Sequence, residues 1–197
     1  MSARMRATLG GFVLAVTVVL ASTPVATASS GQAPDPALRK ALERALESSD
    51  SFRNRFDAEV WLMDMSTRLA DDIPDPEERM NFLRTLHYEA TRAELEPEWV
   101  LAVIEVESDF RRFAISSAGA RGYMQIMPFW LEELDRPDDN LFRTETNLRM
   151  GCTILRHYLN IENGNLTRAL ARYNGSLGKT WYPNLVFDAL REEWHAQ

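Results

Sequence analysis

Between Pro97 and Ser108 the chain reads P-E-W-V-L-A-V-I-E-V-E-S, and this stretch limits the fold more than any other. Pro97 suits a first helical turn, where a missing N–H costs nothing. Val100, Val103, Ile104 and Val106 follow at helical spacing. On a wheel advancing ~100° per residue, Glu107 falls between Val103 and Ile104, inside the apolar arc. Glu105 falls on the opposite side and is expected to be an ordinary surface acid. A core must therefore form around a helix that ends on an inward carboxyl group. Burying that group in its charged form is costly. Desolvation and the helix's C-terminal carbonyls both favour its protonated form. A glutamate that keeps its proton at neutral pH is what a general acid requires. A second reading stays open from the residues alone: a buried ion pair with Arg111, Arg112 or Arg121.

Helical spacing dominates the rest of the chain from Pro36 onward, so the expected fold class is all-α. A helix is expected over 37–47. A second, over 51–70, is expected to pack through Phe52, Phe56, Val60, Met63 and Thr67 on one stripe, with Trp61, Met65 and Leu69 beside it. Asp75-Pro76-Glu77-Glu78 is an N-cap, proline and acid sequence. It leads into Met80, Phe82, Leu83, Leu86 and Ala90 as a core face. A short helix is expected from about Gln125 through 129–134, then a loop at 136–140. Leu148, Cys152, Leu155 and Leu159 recur at helical spacing, and Gly164-Asn165 ends that helix. Leu166, Ala169, Leu170 and Tyr173 follow, which turns Tyr173 inward. A last helical stretch, 180–194, carries Trp181, Tyr182, Val186 and Trp194. At most a short hairpin fits around 121–125.

The N-terminus reads as an export signal. Arg4 and Arg6 are the only charges before Asp35, residues 12–21 are an apolar run, and Ala26-Thr27-Ala28 is an A-x-A cleavage signature. The expected organisation is a signal peptide over 1–28, an N-terminal helical extension over 29–89 and a functional domain over 90–197. Release to the periplasm is the expected location. A lone cysteine, Cys152, excludes an intramolecular disulfide framework and is expected to be a small core residue. The formal charge of −7 becomes more negative once the leader is removed. That balance argues against nucleic acid and against an anionic membrane surface.

Several chemistries lack their residues. His87, His157 and His195 are scattered, and neither H-E-x-x-H nor a cysteine cluster occurs, so no metal is expected. G-x-S-x-G, the P-loop and the dinucleotide fingerprint are absent, so no cofactor is expected. What remains is one poised acid beside amide and hydroxyl groups suited to a polar ligand.

Three separated motifs carry a family resemblance. Glu107-Ser108-x-Phe110 with Ala114-x-Ser116-x-x-Gly119-Ala120 is the first. Gly122-Tyr123-Met124-Gln125-Ile126-Met127-Pro128 is the second, and Ala171-Arg172-Tyr173-Asn174-Gly175 is the third. In this order and at these distances, residues 90–182 resemble the catalytic domain of soluble lytic transglycosylases, related to goose-type lysozyme. The resemblance implies an all-helical, lysozyme-like fold. It implies peptidoglycan glycan strands as substrate and cleavage of the β-1,4 bond between N-acetylmuramic acid and N-acetylglucosamine. Glu107 is implied as the sole catalytic acid, then base. Ser116 is implied to assist the acetamide or orient the acid. Gln125 and Met127 are implied to line the sugar sites, Tyr173 to hydrogen-bond near Glu107, and Asn174 to support its loop. Tyr123 stands where the family has leucine, which is expected to alter a sugar subsite. Arg112 stands where proline is common. Arg172 separates Ala171 from Tyr173, and Gly175 follows Asn174 directly.

Two other functions fit the same residues. A hydrolytic muramidase or chitosanase-like enzyme would need a second acid to position water, for which Asp109, Asp135 and Glu145 are candidates. A non-catalytic glycan-binding scaffold would use the N-terminal helices to dock a cell-wall or secretion machine. The chain is expected to act as a monomer.

Overall fold

Residues 100–104 have no solvent exposure at all, and the fold is arranged around them. The computed structural model describes residues 55–133 and 136–195, which fall within one compact unit spanning 34–197. The leader at 1–28, the helix expected over 37–47 and Phe52 lie outside the described residues. In chain order the helices are α1 (Arg55–Arg68), α2 (Pro76–Arg92), α3 (Pro97–Ser108), α4 (Phe129–Glu133), α5 (Thr144–Ile161), α6 (Leu166–Tyr173) and α7 (Trp181–Ala189). A π-helical turn, Leu190–Trp194, continues α7. No strand occurs among the described residues, and the fold is all-α. None of the described helices is long and apolar enough to cross a membrane.

Helix α3 is the hub because its middle, residues 100–104, is apolar on every side, and such a stretch must be buried. It packs against α2, α7 and the π-turn, while α5 packs on α2 and α6. Local signals set the ends. Asp75 accepts the Glu78 N–H at 2.7 Å, and Pro76 opens α2. Pro97 opens α3. Asn165 caps α6 through the Arg168 N–H.

The end of α3 is abrupt. Asp109 and Phe110 both take left-handed backbone, at φ 52° each, which is an uncommon state for a side chain as bulky as phenylalanine. Burial of Phe110 offsets that strain. Its ring meets Phe82 at 6.0 Å and Trp194 at 5.4 Å, both edge-on.

Three expectations are corrected here. On α1 the buried side is Ala58, Leu62, Met65, Ser66 and Leu69, whereas Phe56, Val60 and Met63 are exposed. The helix carries two apolar stripes, and the one with small Ala58 and Ser66 allows the closer approach to α2. Gln125 is not helical. Its φ of 49° is incompatible with a helix, so α4 begins at Phe129. Tyr123 is not a subsite wall. It is 2% exposed and packs on Phe82 at 4.8 Å.

The short hairpin is present as two antiparallel bridges, Ile115 with Arg121 and Arg121 with Ile126. Asn147 of α5 staples it to the core. Its Oδ1 accepts the Met124 N–H at 2.8 Å, and its Nδ2 donates to the Arg121 and Leu141 carbonyls at 2.9 Å each. Gly122 must be glycine there. At φ +77°, an added Cβ would sit 2.4 Å from Asn147 Nδ2. Gly151 serves the same packing one helical turn on, where a Cβ would collide with the Met124 side chain. Asn147→Ala leaves the Met124 N–H and the Leu141 carbonyl without partners, at ~1–3 kcal/mol each, while the Arg121 carbonyl keeps the Ile126 N–H. A loss of about 2 kcal/mol or more is expected in denaturant unfolding, with no change in helix content before the transition.

Candidate active site

The last turn of α3 delivers Glu107 to the edge of the core, where its side chain is half-buried. Its partner is not a guanidinium. The Tyr182 hydroxyl donates to Glu107 Oε1 at 2.6 Å. The three arginines that could have paired with it are engaged elsewhere. Arg111 Nε donates to the Ser108 carbonyl and Arg112 Nε to the Phe142 carbonyl. The Arg121 guanidinium lies over the Phe142 ring at 6.0 Å. Among the described residues, the buried ion pair is therefore excluded.

Burial raises the pKa of Glu107, and the bond from Tyr182 pulls it partly back. Burial is the larger effect, so the carboxyl holds its proton above the ordinary carboxylate range. Burial also pushes both nearby phenols, Tyr173 and Tyr182, well up, and the charge of Glu107 pushes in the same direction. Both therefore remain hydrogen-bond donors at any working pH.

The residues expected at the site divide into three groups. Tyr173 lies within electrostatic range of Glu107, but its hydroxyl donates to the Met124 carbonyl at 2.7 Å. It thus ties α6 to the hairpin. Gln125 and Ser116 sit on the hairpin itself. Gln125 Nε2 donates to the Gly122 carbonyl at 2.9 Å and the Ala114 carbonyl at 3.3 Å. That leaves the amide oxygen as the group it can offer a ligand. Ser116 Oγ accepts the Ala120 N–H at 3.1 Å, so its hydroxyl hydrogen is the part still available. Met127 is half-buried and its carbonyl accepts the Trp130 N–H. Asn174 is the outlier. It is exposed, and its backbone N–H closes α6 onto Leu170.

Ser108 is structural. It is buried and its hydroxyl donates to the Ile104 carbonyl at 3.1 Å. Cys152 is fully buried, and burial raises its thiol pKa. His87 packs edge-on to Trp61 at 5.0 Å, and burial lowers its pKa to about 4. Glu105 is not an ordinary surface acid. The Trp194 indole donates to its Oε2 at 2.5 Å, and burial raises its pKa. The π-turn brings Trp194 over the position the wheel left open, so that side of α3 is half-buried.

Sequence reasoning missed Tyr182 as a partner of Glu107. Helical spacing placed it on the core face of the last helix, but 75 residues separate the pair, and spacing within one helix does not report such a distance. Asn147 was also missed, although a polar residue four before Gly151 on a core-facing helix is a visible signal. Trp181, exposed and edge-on to Tyr182 at 5.9 Å, presents an apolar ring beside the acid's partner. Among the described residues, no group of three or more His, Cys, Asp or Glu could hold a metal ion.

The site is thus one carboxyl whose burial favours its proton, held by a phenol, at the end of the central helix of an all-α fold. The Transglycosylase SLT domain model matches residues 84–185. The chain belongs to that family, the peptidoglycan lytic transglycosylases. A solved structure of an inactive mutant of lytic transglycosylase Slt from Pseudomonas aeruginosa is 22% identical, with a TM-score of 0.46. The match covers 77% of this chain and 33% of that one, so the chain spans about a third of that protein's length.

Two solution measurements follow from the carboxyl's surroundings. In Tyr182→Phe the bond that holds the Glu107 pKa down is gone, so its side-chain carbon, followed by NMR, is expected to titrate at higher pH than in the wild type. Because the folded pKa lies above the unfolded value, this group's contribution to stability is complete below the ordinary glutamate pKa. It is lost as pH rises through the raised folded pKa. Glu107→Gln is therefore expected to raise Tm relative to wild type at pH 8, with the gain vanishing near pH 4.

Proposed function

We propose that this protein is a lytic transglycosylase that cleaves the β-1,4 bond between N-acetylmuramic acid and N-acetylglucosamine and leaves a 1,6-anhydromuramoyl end. The observation that carries this reading is a half-buried carboxyl whose surroundings favour its proton and whose bonded partner, among the described residues, is a phenol set beside the hairpin. Glu107 gives its proton to the glycosidic oxygen as the bond to the muramoyl C1 breaks. The muramoyl N-acetyl oxygen stabilises the cationic carbon. The sugar's own 6-hydroxyl then attacks C1 and returns a proton to Glu107. No water is consumed, and the acid ends as it began. Attack from within the same sugar gains from proximity over attack by bulk water.

The surrounding groups support the reading. Ser116 would meet the acetamide through its free hydroxyl hydrogen, since its oxygen already accepts from Ala120. Gln125 would accept from a sugar hydroxyl or amide. Met127 and the exposed Trp181 ring would pack against sugar faces. Tyr173 ties α6 to the hairpin that carries Ser116 and Gln125. Asn174, exposed at the end of α6, would support the loop that follows. The expected leader places the reaction in the periplasm, on peptidoglycan glycan strands.

A hydrolase would need a second carboxyl beside the reacting carbon. Among the candidates, Asp135 lies outside the described residues, Glu145 is exposed and paired with Arg143 at 3.2 Å, and Asp109 is exposed where α3 ends. Neither arrangement supports a role in positioning water at Glu107.

Digestion of purified sacculi followed by mass analysis of the released muropeptides tests the reaction. Products one water lighter than hydrolysed ends are expected. Glu107→Gln is expected to lower turnover at least a thousandfold with glycan binding kept, and undiminished turnover would sink the assignment. Ser116→Ala is expected to lose less, about ten- to a hundredfold. The resting enzyme must be protonated, so kcat/KM is expected to fall as pH rises through a value above the ordinary carboxylate range.

A further inference from the structure

Helix α5 has two working faces. Leu148, Cys152, Leu155 and Leu159 face the core. Positions 146, 149, 150, 153, 154 and 157 follow i, i+3, i+4, i+7, i+8 and i+11, which is one continuous stripe on another side. That stripe lines a cavity of about 350 Å³, closed by Trp130 of α4 and by the loop carrying Arg136 and Asp139. The chemistry of the lining is mixed in an ordered way. Trp130, Met150 and Ile154 supply apolar surface, and Arg136, Arg149 and His157 supply cationic and donor groups.

Both arginines are anchored and only partly spent. Arg149 uses Nε and Nη2 on Glu89 Oε1, at 2.9 and 2.8 Å, while its side chain remains 57% exposed. Arg136 uses Nε on Asp139 at 2.5 Å. A guanidinium has five donors in a fixed fork, so each keeps an edge for a further acceptor. Asp139 is the one acid in the lining, and it is already paired. The cavity therefore suits a ligand with carboxylates spaced along a short chain of small apolar groups.

Its position matters as much as its charge. The Trp130 N–H is bonded to the carbonyl of Met127, and Gly151 on α5 lies against Met124. The cavity wall and the hairpin of the candidate site are thus consecutive turns of one segment. We propose that this cavity binds the acidic peptide stem of a peptidoglycan strand, with Arg136 and Arg149 on its carboxylates and Trp130, Met150 and Ile154 on its alanine methyls. The proposal rests on the function proposed above and names a second part of the same substrate.

Two measurements test it, and they fail separately. In the first, isolated stem tetrapeptide is titrated into wild type, Glu107→Gln and Arg136→Ala, followed by NMR at the Trp130 indole and His157 ring. Wild type and Glu107→Gln are expected to show the same saturable shifts. Arg136→Ala is expected to bind at least tenfold more weakly, and Arg136→Lys to recover part of the loss. No saturable binding to wild type overturns the stem site, whatever the enzyme cleaves. Equal binding of an unrelated acidic peptide of the same length also overturns it, because the cavity then serves another partner. Stem binding without any glycan cleavage keeps the site and removes the proposed reaction.

In the second measurement, stem-bearing strands are compared with strands stripped of stems by an amidase. Arg136→Ala is expected to raise KM about tenfold on stem-bearing strands with kcat unchanged, and to leave stripped strands unaffected. An equal effect on both substrates, or none on either, refutes the proposal. Arg136 lies in an exposed loop, so its removal is not expected to impair folding, and circular dichroism checks this.

Discussion

A carboxyl group carried to the edge of a core needs a partner for its oxygens, and the choice of partner decides what the group can do. A guanidinium beside Glu107 would hold it ionised. The phenol of Tyr182 satisfies one oxygen with a neutral donor and leaves desolvation as the larger effect on its pKa. Much of the architecture follows from making that contact. Helix α7 must close over α3, because Tyr182 has to reach a residue 75 positions earlier. The hairpin must turn tightly through Gly122, because Asn147 and the Leu141 carbonyl leave no room for a side chain. Tyr173 then bonds the hairpin, not the acid, which keeps the second phenol nearby without lowering the carboxyl's pKa.

Much of this was legible in the chain, and the limits are physical. The inward angle of Glu107, the cap at Asp75 and the core face of α5 are properties of a single helix, and local sequence reports them directly. The environment of Glu105 is not such a property. Its side of α3 is determined by the π-turn some ninety residues later, and Trp194 covers it. The exposed stripe of α1 fails for a related reason. Both of its stripes are apolar, so periodicity cannot choose between them. Close approach to α2 selects the stripe containing Ala58 and Ser66, although larger side chains made the other look more attractive. Tyr123 illustrates the same limit within a motif. The motif located the turn correctly, yet the side chain is in the core against Phe82.

The third motif shows how a family pattern and a local geometry can divide a role. Tyr173 lies within electrostatic range of Glu107, but the direct bond to the acid comes from Tyr182, nine residues on. Between them the chain leaves α6, passes Ser176, whose N–H returns to the Ala171 carbonyl at 2.7 Å, and enters α7. That return fixes how far apart the two phenols stand. Arg172 belongs to this arrangement as well. With Arg168 it pairs to Glu162, whose carboxylate is held below its usual pKa by the two guanidinium bonds. The arginine between Ala171 and Tyr173 therefore clamps α6 to the end of α5, so the departure from the family pattern has a structural use.

The two glutamates of α3 extend the argument. Both are half-buried, both have pKa values raised by burial, and each accepts from an aromatic donor of the C-terminal segment. They differ in what else surrounds them. Glu193, Asp72 and Asp109 add negative charge around Glu105, and its indole partner lies beyond the end of the family match at 185. Glu107 has no such acids among the causes of its shift, and both phenols near it, Tyr173 and Tyr182, fall inside the matched region. A raised pKa alone would not distinguish the pair. The discrimination comes from neighbours: Glu107 is set among groups that donate hydrogen bonds and stay neutral, next to a hairpin with unspent polar atoms, whereas Glu105 secures the π-turn that closes the core.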